Sequence, residues 1–239
     1  MVHPVSEVVE RLTSSLPAGS ALTFRHINAP PRVQRRVAGA EKSEDLIRRA
    51  RSIRQEEGTP FWHALFLLGE DDADGVPIDI VKSALFHQDP ANDVSRTLQI
   101  DDSLQSSLAA WVGTISGRDA IALDSEVLLA DGSSRFIPMI DFSVKSSKLG
   151  GDATARACVE ALGVPGYLVT SGRSYHFYGE QLVDSAGQLD FWSKALLLTP
   201  MVDERWIAHQ IRSGRSALRV TPNEKGDLPG IIWEVDIAL

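Results

Sequence analysis

Ser174 and His176 stand two residues apart in the run SGRSYHFYG, residues 171–179. On an extended chain, side chains two apart point to the same side. A hydroxyl and an imidazole are therefore presented together, with the guanidinium of Arg173 beside them in a Ser-Gly-Arg turn. These donors suit the oxygens of a phosphate group; the plain alternative is a β-hairpin with a polar face. Upstream, the run MIDFSV carries one carboxylate, Asp141, to the end of a strand, with Ser143 two residues further on. Downstream, Asp203 follows an apolar pair in MVDERW, and Arg219 stands in ALRVT. Asp203 reads equally as the N-cap of a helix with apolar spacing at Trp206, Ile207 and Ile211, or as a functional carboxylate. Glu234 and Asp236 in IIWEVDI are rival carboxylates, but they alternate with apolar residues as a half-exposed strand does, and so do Asp124 and Glu126.

The elements that must position these residues lie after about residue 119. DAIALDSEVLLA and RFIPMIDFSV read as strands flanking the Asp-Gly hairpin signal DGSS. GDATARACVEALG reads as a helix with Asp152 as N-cap and Gly163 past its end. GYLVT and SYHFYG are strands, DFWSKALLL and VDERWIAHQIRSG helices, and ALRVT and GIIWEVDIAL closing strands. This order predicts an α+β fold, a mostly antiparallel sheet with helices on one face. Before residue 114 the pattern is mainly helical, over about 5–16, 42–57, 76–87 and 103–112; PFWHALFLLG is a strand or a buried helix. The expected organisation is a helical N-terminal region over 1–114 and a second module over 115–239.

Composition excludes several classes. Hydrophobic content of 43% with 23% charged residues is that of a globular protein, and no apolar run is long enough for a membrane span. The start shows no secretory pattern, and the lone Cys158 allows no internal disulfide, so a cytoplasmic location is expected. A net charge of −8 argues against wholesale non-specific nucleic-acid binding. It leaves room for a local basic groove, for which residues 24–54 are the candidate, with Arg35, Arg36, Arg48, Arg49 and Arg51 foremost. The alternative there is a solvated helix face. The five tryptophans, His63 and His209 read as structural, and EDDADG as a surface turn.

Taken in order, strand-borne Asp141, the Ser-x-His of 174–176, an apolar residue before Asp203, and the Arg-bearing strand and Lys turn of LRVTPNEKGDLP resemble the archaeo-eukaryotic primase (primase-polymerase) superfamily. The resemblance spans residues 119–236, and SGRSYHFYG is its most specific piece. It implies an RNA-recognition-like catalytic sheet that joins nucleotides on a nucleic-acid template, as in DNA replication or repair, with magnesium or manganese. Asp141 and Asp203 would be catalytic metal ligands. Ser174 and His176, with Arg173 beside them, would hold the triphosphate of a nucleotide, and Arg219 would contact phosphate. Where the superfamily's first motif has a second carboxylate, this chain has Ser143. Two carboxylates then face the charge of two divalent cations, which weakens two-metal phosphoryl transfer. The resemblance is thus to a one-aspartate, primase 1D-like variant. It is either a metal-dependent nucleotidyltransferase or a catalytically inactive module that binds nucleotide or nucleic acid.

Overall fold

The computed structural model describes residues 5–27, 41–87, 93–223 and 226–236. Two compact units emerge, one formed by residues 1–28 with 89–239 and the other by 29–88. In the first, helix α1 (Glu7–Ser15) is capped by Ser6 and buries Val8, Val9 and Leu12. Strand β1 (Ala21–Ile27) follows. After the second unit come β2 (Ser95–Gln99), a helix over Leu104–Val112, β3 (Ala120–Leu128), β4 (Ser134–Phe136) and β5 (Met139–Asp141). A helix over Gly151–Leu162 leads to β6 (Gly166–Thr170) and β7 (Tyr175–Gly179). Two helices, Ser185–Leu196 and Glu204–Ser213, precede β8 (Ala217–Arg219) and β9 (Gly230–Val235). The helices of the second unit are α2 (Glu41–Glu57), α3 (Phe61–Glu70) and α4 (Ile78–Ala84), so those of the first unit after α1 are α5 to α8 in chain order.

The class is α+β with antiparallel sheets, but there are two sheets rather than one. The first runs β2-β1-β3, and β4 and β8 share the far edge of β3: residues 126–128 pair with β4 and 122–124 with β8. The second runs β5-β7-β6-β9, antiparallel throughout. One core is shared by both. Leu22, Phe24, Ile121, Leu123 and Val127 come from the first sheet, and Met139, Tyr167, Val169 and Tyr178 from the second. The other face of the second sheet supplies Ile140, Leu168, Tyr175 and Phe177 to a core closed by α6, α7 and α8. The period of two therefore sends Tyr175 and Phe177 toward the helices and His176 and Tyr178 toward the other sheet.

The expected helical stretch over 1–114 contains β1 and β2, and β1 is an inner strand of the first sheet. In ALTFRHI a basic and a hydroxyl residue interrupt the apolar run. Arg25 stays buried only because Asp124 of β3 lies beside it, a pairing that local pattern does not reveal. Asp124 is likewise not on a half-exposed strand. It is 0% exposed, approached by Arg25 Nε at 3.0 Å and by Arg215 Nε at 3.5 Å. Helix α6 starts on Gly150, which has left-handed backbone, and Asp152 lies in its first turn pairing with Arg156 instead of capping it. The undecided PFWHALFLLG is helix α3. In the Asp-Gly hairpin between β3 and β4, Asp131 accepts from the Ser133 amide at 2.8 Å and Gly132 takes φ 82°.

The second unit has its own small core of Ile47, Ala50, Ala64, Leu65 and Ile80. Its acidic turn clasps Lys42 through Asp72 (2.9 Å) and Asp74 (3.1 Å), the behaviour of a surface turn. No helix among the described residues is long and apolar enough to cross a membrane.

Candidate functional site

Three distant stretches of chain meet at one end of the second sheet. Strand β5 ends on Asp141, and its antiparallel register with β7 sets Asp141 opposite His176. The imidazole Nε2 lies 3.7 Å from the carboxylate Oδ1, with the carboxylate 26% exposed and the imidazole 8%. Just beyond, Phe142 bridges to Val202, and the Ser143 amide donates to the Met201 carbonyl at 2.9 Å. This extension of the sheet edge delivers Asp203, whose amide donates to the Asp141 carbonyl at 2.9 Å. The Asp203 carboxylate caps α8 by accepting from the Trp206 amide at 2.8 Å. Capping and proximity to Asp141 thus coexist at a strand-to-helix junction. The Ser143 hydroxyl donates to the Val202 carbonyl at 3.3 Å.

The turn between β6 and β7 forms the other wall. The Ser171 amide donates to the Ser174 carbonyl at 2.9 Å, and the two hydroxyls are 3.1 Å apart. Arg173 is exposed at the tip, and its carbonyl accepts from the Ser146 amide at 3.1 Å. Half-buried Arg219 points its guanidinium at main-chain carbonyls. It donates to Asp227 (2.9 Å), to Ser171 (2.8 Å) and to Thr221. Tyr178, two residues after His176 on the same face and fully buried, donates its hydroxyl to the Arg219 carbonyl at 3.2 Å. From sequence, Tyr178 is open to stacking on a ligand or to core packing, and it lies in the core between the two sheets.

Burial, and secondarily the charge of Arg219, pushes the His176 pKa down from 6.5 to about 3. The ring is therefore neutral at physiological pH, and its Nδ1 is buried with no hydrogen-bond partner within the protein. A neutral imidazole offers one N–H and one lone pair. The unfolded chain takes up a proton near pH 6.5 that the folded one refuses until about pH 3, so stability present above pH 6.5 drains away as the pH falls toward 3. In urea unfolding, the natural protein should lose more stability between pH 7.5 and 4.5 than His176→Gln does. Equal losses would mean that His176 is not a buried neutral group.

The remaining candidates lie elsewhere. Glu234 pairs opposite Tyr167 at the start of β6, whereas His176 pairs with Val169 near its end, so Glu234 and Asp236 belong to the far end of the sheet. There Asp236 and Glu180 line an open cavity of about 730 Å³ with Ser15 and Gly163. Arg48, Arg49 and Arg51 are exposed on α2 in the second unit, with Arg48 and Arg49 both pairing with Asp45. Arg35 and Arg36 lie outside the described residues.

Among the described residues no group of three or more His, Cys, Asp or Glu side chains gathers as a metal cluster. Asp141 and Asp203, tied through one main-chain hydrogen bond, offer hard carboxylate oxygens at neighbouring positions. That set fits one magnesium or manganese ion completed by water and substrate oxygens; it does not fit two.

A family model described as AEP-like, archaeo-eukaryotic primase 1D-like, matches residues 100–230, more than half of the chain. That match covers every residue of the site just described. No curated protein and no solved structure matches the chain.

Proposed function

The chain belongs to the archaeo-eukaryotic primase 1D-like family, and from that premise we propose that it binds a nucleoside triphosphate with one divalent cation at the Asp141–His176–Asp203 end of the second sheet. The observation that carries this reading is the convergence itself. Three residue types that the superfamily uses together are separated by more than sixty positions from first to last, yet they share one strand end through the Asp141–His176 register and the Asp203–Asp141 hydrogen bond. Asp141 and Asp203 would hold the cation, which, when bound, neutralises phosphate charge. Ser174 and neutral His176 would receive phosphate oxygens, and exposed Arg173 at the turn would add a cationic donor. The exposed arginines of α2, in the second unit, are separate candidates for contacting nucleic acid.

We propose further that binding outlasts turnover. Two-metal phosphoryl transfer needs more carboxylate than this site holds, and losing a ligand costs most where charge develops in the transition state. The Ser143 hydroxyl, which donates to the Val202 carbonyl, is uncharged, so it does not supply the anionic oxygen of the missing carboxylate. Calorimetry with a nucleoside triphosphate and manganese should therefore show binding by the natural protein, while primer extension is weak or absent. Ser143→Asp should raise manganese affinity by about tenfold, the scale of one added charged ligand. Absence of nucleotide binding by the natural protein would overturn the proposal. Vigorous extension by it would overturn the ranking of binding over turnover.

A further inference from the structure

The guanidinium of Arg219 faces three main-chain carbonyls, two from the connection between β8 and β9 and one from the β6–β7 turn. Thr221 follows β8, Asp227 precedes β9, and Ser171 opens the β6–β7 turn. Three of its five N–H groups are committed to the main chain. The segment around Gly226 packs so tightly on the same turn that side chains are excluded. A Cβ on Gly226 would stand 2.8 Å from the Ser171 carbonyl oxygen, and one on Gly172 would stand 3.0 Å from the Gly226 Cα. Gly172 itself has φ 89°, a conformation open to glycine and strained for other residues. The shape of the turn rests on the Ser171–Ser174 hydrogen bond, on Ser146, which donates to the Gly172 and Arg173 carbonyls, on the Gly172–Gly226 contact, and on Arg219.

We propose that Arg219 is a positioning residue: it clamps the Ser171–Ser174 turn against Thr221 and residues 226–227, and so sets where Ser174 and His176 meet a ligand, instead of gripping phosphate with its own charge. The inference rests on the nucleotide-binding reading for its ligand, though the clamp itself is independent of it. A planar fork with fixed N–H directions can span three carbonyls; a lysine ammonium is a single point and cannot. Charge and geometry are therefore separable. Arg219→Lys keeps the charge and loses the fork. Gly226→Ala keeps the fork and wedges the clamped surfaces apart.

The test measures binding of a nucleoside triphosphate and the matching monophosphate, with manganese, to the natural protein, Arg219→Lys and Gly226→Ala. Amide hydrogen exchange is read on the same proteins without nucleotide. Both variants are expected to weaken triphosphate and monophosphate by similar factors of about tenfold. The Ser171 amide should exchange at least about tenfold faster in both, while amides in the middle of β3 keep their protection. Arg219→Lys retaining affinity within about twofold would overturn the proposal, because charge alone would then suffice. So would a loss confined to the triphosphate. If the natural protein binds no nucleotide, the function proposed above fails, and exchange at Ser171 still decides the clamp: unchanged protection in both variants refutes it.

Discussion

Asp141→Asn is expected to weaken manganese-assisted nucleotide binding by about a hundredfold, the loss that goes with removing one ionised partner from a charge-assisted contact. The substitution is nearly isosteric, and the carboxylate sits at a strand end, 26% exposed and outside the packed core. The Asp141 main chain, which pairs with His176 and accepts from the Asp203 amide, is untouched. The fold should therefore survive, and the effect reads charge alone. Asp203 cannot replace the missing carboxylate, because it is already the other ligand proposed for the same cation. The companion Asp203→Asn keeps an acceptable cap, since asparagine is as good an N-cap as aspartate, and should lose a comparable factor. Calorimetry at fixed manganese with both variants provides the measurement. Unchanged affinity in Asp141→Asn would remove that residue from the cation-holding role and leave the strand end without its central group.

The second large effect is on stability. Asp124→Ala should cost about 3–5 kcal/mol, the range for breaking a buried ion pair by deleting one partner. Asp124 is fully buried, and Arg25 beside it is 5% exposed in its side chain, so the deletion strands a guanidinium in the interior. Arg25 keeps Asp93 at 3.9 Å, too far to replace a partner at 3.0 Å. The Asp124 carboxyl lies above its ordinary pKa because burial outweighs the attraction of Arg25. The cost of burying both charges therefore offsets much of their attraction. A double replacement, Arg25→Met with Asp124→Leu, should accordingly recover most of the loss. Urea midpoints of the three proteins test this; a cost below about 1 kcal/mol for the single variant would show that water reaches Arg25.

The sequence reading found the second sheet more readily than the first. The strands of the former are short apolar runs with clear turns, and the order of Asp141, Ser174, His176 and Asp203 along the chain is the superfamily's own. Two strands of the first sheet stayed hidden because β1 and β2 read as polar or mixed. SRTLQ is an edge strand with mostly exposed side chains, and ALTFRHI holds a buried arginine. The apparent break near residue 114 has the same origin. A helical segment inserted between β1 and β2 gives the first half of the sequence a helical character, while its flanking strands belong to the later module.

Local pattern by itself determined the α+β class and the Asp-Gly hairpin, and offered the cap at Asp203 as one of two readings, because each depends on neighbours within a few residues. It determined the family as well, since motif order survives in one dimension. Tertiary structure alone decided what those residues touch. The β5–β7 register sets Asp141 against His176, burial holds that imidazole neutral, and three carbonyls from two separate connections occupy Arg219. It also sent Glu234 and Asp236 to the far end of the sheet, where alternation alone had left them as rivals. The reason is common to all of these: register, burial and the direction of a long side chain are set by contacts between residues tens of positions apart, and no periodicity along the chain encodes them.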